Sequence, residues 1–189
     1  MKKSIITLVL GTVILFVWNA ISWMALPFHS NALKTIPDAV IEGQNLKIAL
    51  PEDGIYHYPR IPESNAPEDI TKIESKMEEG PRITFMAYKN GPTKLFDVNA
   101  FALNLIFNFI TICLIFWVVK NQSDKSIKKI LSTTLALGLL VSFASDFPQM
   151  NWFMFPLSYT LPNILDYLVS FGLFGLLMGV YTYKTKVKS

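Results

Sequence analysis

Five side chains that can hydrogen-bond or carry charge, Asn19, Asn104, Asn108, Asp146 and Asp166, stand within or beside stretches that are otherwise apolar. A carboxylate inside a membrane is costly enough that function is its default reading, and the cost falls toward the interface. Asp97, Asn104, Asn108 and Thr111 recur at spacings of seven, four and three, which puts them on one helical face. Trp18, Asn19, Ser22 and Trp23 crowd the end of the first apolar stretch, and Ser142, Ser145 and Asp146 close the third. Two kinds of chemistry fit. Amides and hydroxyls can cross-link helices, a glue worth about 0.6 kcal/mol per pair, with the aromatic residues forming an interfacial belt. Alternatively the same groups line a cavity that opens outward, floored near Asn108 and walled by Asn19, Asn104, Asp146 and Asp166. If Asp166 is paired only with amides such as Asn19 or Asn104, Asp166→Asn should be tolerated.

The elements that must position these groups follow from hydropathy. The chain has 189 residues, 51% hydrophobic and 16% charged, with mean hydropathy +0.37. The apolar content is concentrated in four stretches, near residues 5–26, 98–119, 130–145 and 161–183. About 20 residues at 1.5 Å rise cross a bilayer core, so three stretches span without adjustment. The third is short, and it spans if Lys128 and Lys129 snorkel and its helix starts near Ser126; the alternative is a re-entrant segment. Gly175 and Gly179 form a GxxxG pair, and Thr134, Gly138 and Ser142 repeat a small-residue spacing that suits close helix packing.

Basic loops are retained in the cytoplasm, and nine lysines (2, 3, 120, 125, 128, 129, 184, 186 and 188) fall on one side if both termini are cytoplasmic. Residues 27–97 carry eight basic and eleven acidic side chains, and residues 146–160 have no Lys or Arg. The expected order is an N-terminus and first span over 1–26, an extracytoplasmic domain over 27–97, a span over 98–119 and a cytoplasmic loop over 120–129. A span over 130–145, an extracytoplasmic loop over 146–160, a span over 161–183 and a cytoplasmic tail over 184–189 complete it. The first stretch is expected to be an uncleaved anchor, because it outruns a secretory signal and Trp18 and Trp23 spoil cleavage after Ala20 and Ala25; Ser30-Asn31-Ala32 is the one tolerable site. On this plan the polar groups lie in the outer half of the membrane, with Asn108 and Thr111 near its midplane.

The region from Pro27 to Asp97 holds eight of the eleven prolines. Leu46, Ile48 and Leu50 alternate as in a strand, Ile55–Tyr58 and Arg82–Tyr88 read as two more, and Pro67 opens a helix that Gly80-Pro81 ends. Seventy residues without a disulfide make a thin core, which should be completed by helix ends or by a partner. The one cysteine, Cys113, rules out a CxxC redox pair. No nucleotide-binding, hydrolase or HExxH motif is present. His29 and His57, 28 residues apart, make a poor metal pair, and they read as an interface residue and a strand-surface residue. The acidic run from Glu63 to Glu79 reads as a solvated helix face and loop. No catalytic residue, cofactor or metal is assigned, and no basic patch suggests nucleic acid.

The segment Trp18-Asn19-Ala20-Ile21-Ser22-Trp23-Met24-Ala25-Leu26-Pro27-Phe28-His29 and the segment from Asp146 to Pro156 with Tyr159-Thr160, joined by Gly54-Ile55-Tyr56, resemble small bacterial four-span inner-membrane proteins. The resemblance implies a bacterial plasma-membrane setting and no activity.

The expectation is therefore an α-helical membrane protein, a four-helix transmembrane bundle with a small α+β extracytoplasmic domain between helices 1 and 2. Its expected role is non-catalytic binding or assembly at the extracytoplasmic face, in company with the lipid bilayer and a membrane or periplasmic partner or a second copy. The alternative is a membrane-embedded enzyme or carrier for a lipid-like substrate that uses the outward-opening polar pocket.

Overall fold

Four segments run as long, almost uninterrupted helix because an apolar chain without water must satisfy its backbone internally. They are Lys2–Ala25, Val98–Lys120, Ile127–Trp152 and Leu157–Tyr183, each long and apolar enough to cross a membrane. The computed structural model describes residues 2–43, 46–60, 64, 66–94 and 96–183. The tail expected over 184–189, with Lys184, Lys186 and Lys188, and Glu63 of the acidic run lie outside the described residues. The chain is mostly helical, 72%, as a multi-pass membrane protein requires.

Two compact units divide it, Thr35–Lys94 and the remainder. In the larger unit, α1 (Lys2–Ala20) widens into a π-helical turn over Ile21–Ala25. Leu26 is extended there, as the residue before Pro27 must be. Pro27 then opens the short α2 (Pro27–Ser30).

The smaller unit contains α3 (Asp38–Gly43), α4 (Leu46–Ala49), β1 (Gly54–Tyr58), α5 (Pro67–Glu79) and β2 (Ile83–Tyr88). β1 and β2 pair antiparallel, Tyr56 opposite Met86, with an irregularity before Tyr58. The alternation at Leu46, Ile48 and Leu50 does not make a strand: Leu46–Ala49 is a helical turn, because three alternating residues without a pairing edge also satisfy one turn of helix. Among the described residues of this unit only Pro59 is buried, so it has next to no apolar core of its own.

The remaining helices are α6 (Val98–Lys120), α7 (Ile127–Ala144), α8 (Asp146–Trp152) and α9 (Leu157–Leu177), the last prolonged by a π-helical turn over Met178–Tyr183. Helix α8 occupies half of the stretch expected as a loop. It turns at Ser145 and stops before Pro156, which caps α9 four residues ahead of the expected start. Pro162 stands inside α9, where it offers no N–H to the carbonyl four residues before it. Ser126 caps α7 by accepting from the Lys129 amide. In the loop before it, Lys125 donates to the carbonyls of Val119 and Lys120 at 2.7 Å and to that of Gln122, closing the C-terminus of α6.

Helix α9 is the most buried of the four. It runs antiparallel to α1 and α7, and α6 packs chiefly on α1. Leu15, Ile112, Ile115, Phe116, Val119, Ile130, Phe171, Phe174 and Met178 form one buried cluster. Small residues set the separations. A Cβ on Gly175 would lie 2.3 Å from Thr134 Oγ1, on Gly138 3.2 Å from the Tyr167 carbonyl oxygen, and on Gly179 3.0 Å from Ile127 Cγ1. Gly11, which the sequence spacing did not single out, is as tight: a Cβ there would sit 2.4 Å from the Phe174 ring. Near the lysine-rich end, Thr7 and Thr182 share a buried hydroxyl–hydroxyl bond of 2.7 Å.

Candidate functional site

The polar groups gather at the opposite end of the bundle, around Asp166. Its carboxylate is 6% exposed and sits in the third turn of α9. Trp18 Nε1 donates to Oδ1 at 3.1 Å and Ser22 Oγ donates to the same oxygen at 2.6 Å. His29 Nε2 meets Oδ2 at 2.9 Å. Trp18 stands in the last turn of α1 and Ser22 in the π-helical turn that follows, and both reach the same carboxylate oxygen. His29 arrives from the opposite direction, because Leu26-Pro27 breaks the helix and α2 folds the chain back onto α9. The imidazole is 1% exposed and stacks on Trp23 at 3.8 Å between ring centroids.

His29, read from the sequence as a membrane-interface residue, is among the most buried side chains of the described residues. Asp166 is not paired with amides, and its partners are an indole, a hydroxyl and an imidazole. His57 does lie on an exposed strand, its Nδ1 3.1 Å from the Pro59 carbonyl.

A cavity of about 820 Å³ opens beside this cluster between α1, α6 and α9. Asn19, Asn104, Asn163 and Asp166 supply its polar wall, and Phe16, Trp23, Phe96, Phe101 and Tyr167 most of the rest. The volume lies within the ordinary range for small-molecule sites. Asn19 donates from Nδ2 to Asn108 Oδ1 at 3.4 Å, so Asn108, buried, stands directly behind Asn19. Asp97 takes no part. It caps α6 on the surface by accepting from the Asn99 amide at 2.9 Å.

Asp146 is buried at the start of α8 but is not a lining residue, so the expectation that it walls the pocket is not met. The kink at Ser145 turns it toward Asn163 of α9, its hydrogen-bonding neighbour, and Asn163 in turn lines the cavity. Asp146 Oδ2, Asn108 Nδ2 and His29 Nδ1 are buried without a protein partner. None of these three residues lines the cavity itself; each stands behind a residue of the cluster or its wall, His29 behind Asp166, Asn108 behind Asn19 and Asp146 beside Asn163.

Sequence reasoning missed His29, Asn163 and Tyr167. The last two carried a signal: Asn163, Asp166, Tyr167 and Ser170 fall at spacings of three, one and three on a single face of α9.

The chemistry this cluster can do is limited by its wiring. A nucleophilic serine needs a base at its hydroxyl, with a third group orienting the base. Here the order is Ser22–Asp166–His29: the serine proton points at the carboxylate and not at the imidazole. Three of the four acceptor positions of the carboxylate are already taken. Among the described residues no three His, Cys, Asp or Glu side chains gather as a metal ion would need. The arrangement can hold and orient a bound molecule. No protein-family model, curated protein or solved structure matches this chain.

Proposed function

We propose that this is a non-catalytic binding protein of the bacterial plasma membrane, with both termini cytoplasmic and the cavity opening at the extracytoplasmic ends of its helices. The observation that carries this reading is the convergence of Asn19, Asn104, Asn163 and Asp166 on one cavity whose remaining wall is aromatic and aliphatic. Such a wall suits an amphiphile with a polar head and an apolar body, and such molecules are supplied by the bilayer itself. Orientation is supported by Lys2, Lys3, Lys120, Lys125, Lys128 and Lys129, which all stand at the far end of the bundle from the cavity. The three protein bonds to the Asp166 carboxylate suit a fixed, oriented charge and support binding as the role.

The smaller unit, Thr35–Lys94, has little core of its own, and the exposed apolar side chains of its strands, Ile55, Ile83 and Phe85, suit contact with a membrane or periplasmic protein or with a second copy. Assembly at the extracytoplasmic face is the second part of the proposed role.

Ala20 lines the cavity, so Ala20→Trp would fill it from the helix side. The full chain and this variant, extracted in mild detergent, are compared by native mass spectrometry of the molecules that co-purify. The expected result is an amphiphile retained by the wild type and absent from a folded Ala20→Trp. Equal retention by both would overturn the pocket reading and leave only the assembly role.

A further inference from the structure

We infer that the cavity beside Asp166 recognises an ammonium group, carried on a lipid head or on a free organic cation; the inference rests on the pocket reading above. The wall combines one carboxylate with five aromatic rings, and neither Lys nor Arg is among its lining residues. The faces of Phe, Tyr and Trp attract a cation within about 6 Å of the ring centroid, and more strongly where water is excluded. Trp23 is nearly half exposed although it spends one face on His29, so its other face is available. Phe16 and Phe101 meet edge to face at 6.4 Å and belong to the same wall.

The charge balance points the same way. His29 has a partner only at Nε2, where a single N–H serves the carboxylate; Nδ1 is buried with none. His29 meets the carboxylate from outside the lining, and no Lys or Arg stands on the wall beside it. Oδ2, which takes one bond from His29, retains an acceptor position. An anionic head would meet that carboxylate with no Lys or Arg on the wall to offset it. The amides of Asn104 and Asn163 serve the uncharged or oxygen-bearing atoms that flank an ammonium.

The test uses the full chain in nanodiscs containing equal amounts of phosphatidylcholine, phosphatidylglycerol and diacylglycerol with identical acyl chains, and counts retained lipid by native mass spectrometry. Tetramethylammonium chloride is titrated separately, with tryptophan fluorescence as the readout. Phosphatidylcholine should be retained at least about fivefold over phosphatidylglycerol. Phe101→Leu keeps an apolar side chain but removes a π face, and should cut that preference by about threefold or more in a folded protein. Asp166→Asn should abolish it. A fluorescence change with tetramethylammonium alone assigns recognition to the free cation; a change that needs the lipid assigns it to the head group, and both support the inference. Retention of phosphatidylglycerol or diacylglycerol equal to or above phosphatidylcholine overturns the inference and leaves the pocket reading standing. No retained lipid and no fluorescence change overturns both.

Discussion

Replacing Asp166 by Asn tests the cluster at its centre, and its cost can be worked from the geometry. The carboxylate accepts from Trp18 and Ser22 through Oδ1 and meets His29 through Oδ2. An amide keeps one acceptor oxygen. With that oxygen toward Trp18 and Ser22, the two bonds lose their charge assistance, about 1 kcal/mol each at most. The new N–H group then faces His29 Nε2, and the ring must move its proton to Nδ1, a buried atom without an acceptor. An unpaired buried donor costs about 1–3 kcal/mol. Removing a buried charge recovers part of its desolvation cost, which offsets about half of these losses. The expected net destabilisation is about 2 kcal/mol. At roughly 2–4 °C per kcal/mol for a chain of this length, that is a fall of about 6 °C in Tm. Asp166→Leu leaves three donors unpaired and should cost about 4 kcal/mol or more. Both are measured by thermal unfolding of the full chain in the same detergent. An Asn variant that melts with the wild type, or a Leu variant no worse than Asn, would refute the view that the carboxylate anchors this end of the bundle.

Reporter fusions after Pro59, Ser126, Met150 and Ser189 should read outside, inside, outside, inside, and an outside signal at Ser126 would remove the proposed topology. Gly175→Ala should destabilise by about 1–3 kcal/mol, because its Cβ would lie 2.3 Å from Thr134 Oγ1. Thr134→Ala should restore much of that loss in thermal unfolding, and an additive double variant would show that the two helices do not meet there. Asp53 accepts from the Asn90 amide at 2.8 Å and pairs with Lys89, contacts that hold its carboxyl below the usual range, the Lys89 bond first. The support it gives β1 and β2 is fully present above the ordinary carboxylate pKa and is lost as pH falls through the lowered value. The protection of the Asn90 amide relative to its intrinsic exchange rate should therefore hold at pH 5 and fall only below about pH 3.8, and Asp53→Ala should already lower it at pH 5.

The long apolar helices were legible because apolar length is a local property: three runs were long enough alone, and the third became so once its helix was started near Ser126. The clustering of Asn19, Asn104 and Asp166 was legible for a related reason: polar groups in apolar helices stand out, and alternating topology puts these at one end. His29 was hidden by its setting. A histidine after Leu26-Pro27-Phe28 has the composition of an interfacial turn, and only the fold shows that the chain reverses to meet a carboxylate 137 positions later. Asn163 was masked by Pro162, which reads as a helix start although α9 begins at Leu157. Asp146 was placed in the wall by its proximity to a span end, and the kink at Ser145 turns it away. In the smaller unit, Leu46, Ile48 and Leu50 show how little a three-residue alternation decides without a pairing edge.

The widened turn at Ile21–Ala25 has a consequence for how this end of the protein tolerates change. Each residue of an α-helix advances the chain by about 100° around the axis, so a π-helical turn resets the angular phase of everything beyond it. Trp18 lies before that turn and His29 after it, and both reach one carboxylate. Deleting a single residue between them would let the helix tighten, leave Trp18 in place and swing the Pro27–Ser30 segment around the axis, carrying His29 off Asp166. The side chain at Ile21, which faces outward, is free to vary. The number of residues between Trp18 and His29 is not, and the segment acts as a counted spacer whose length matters more than its composition.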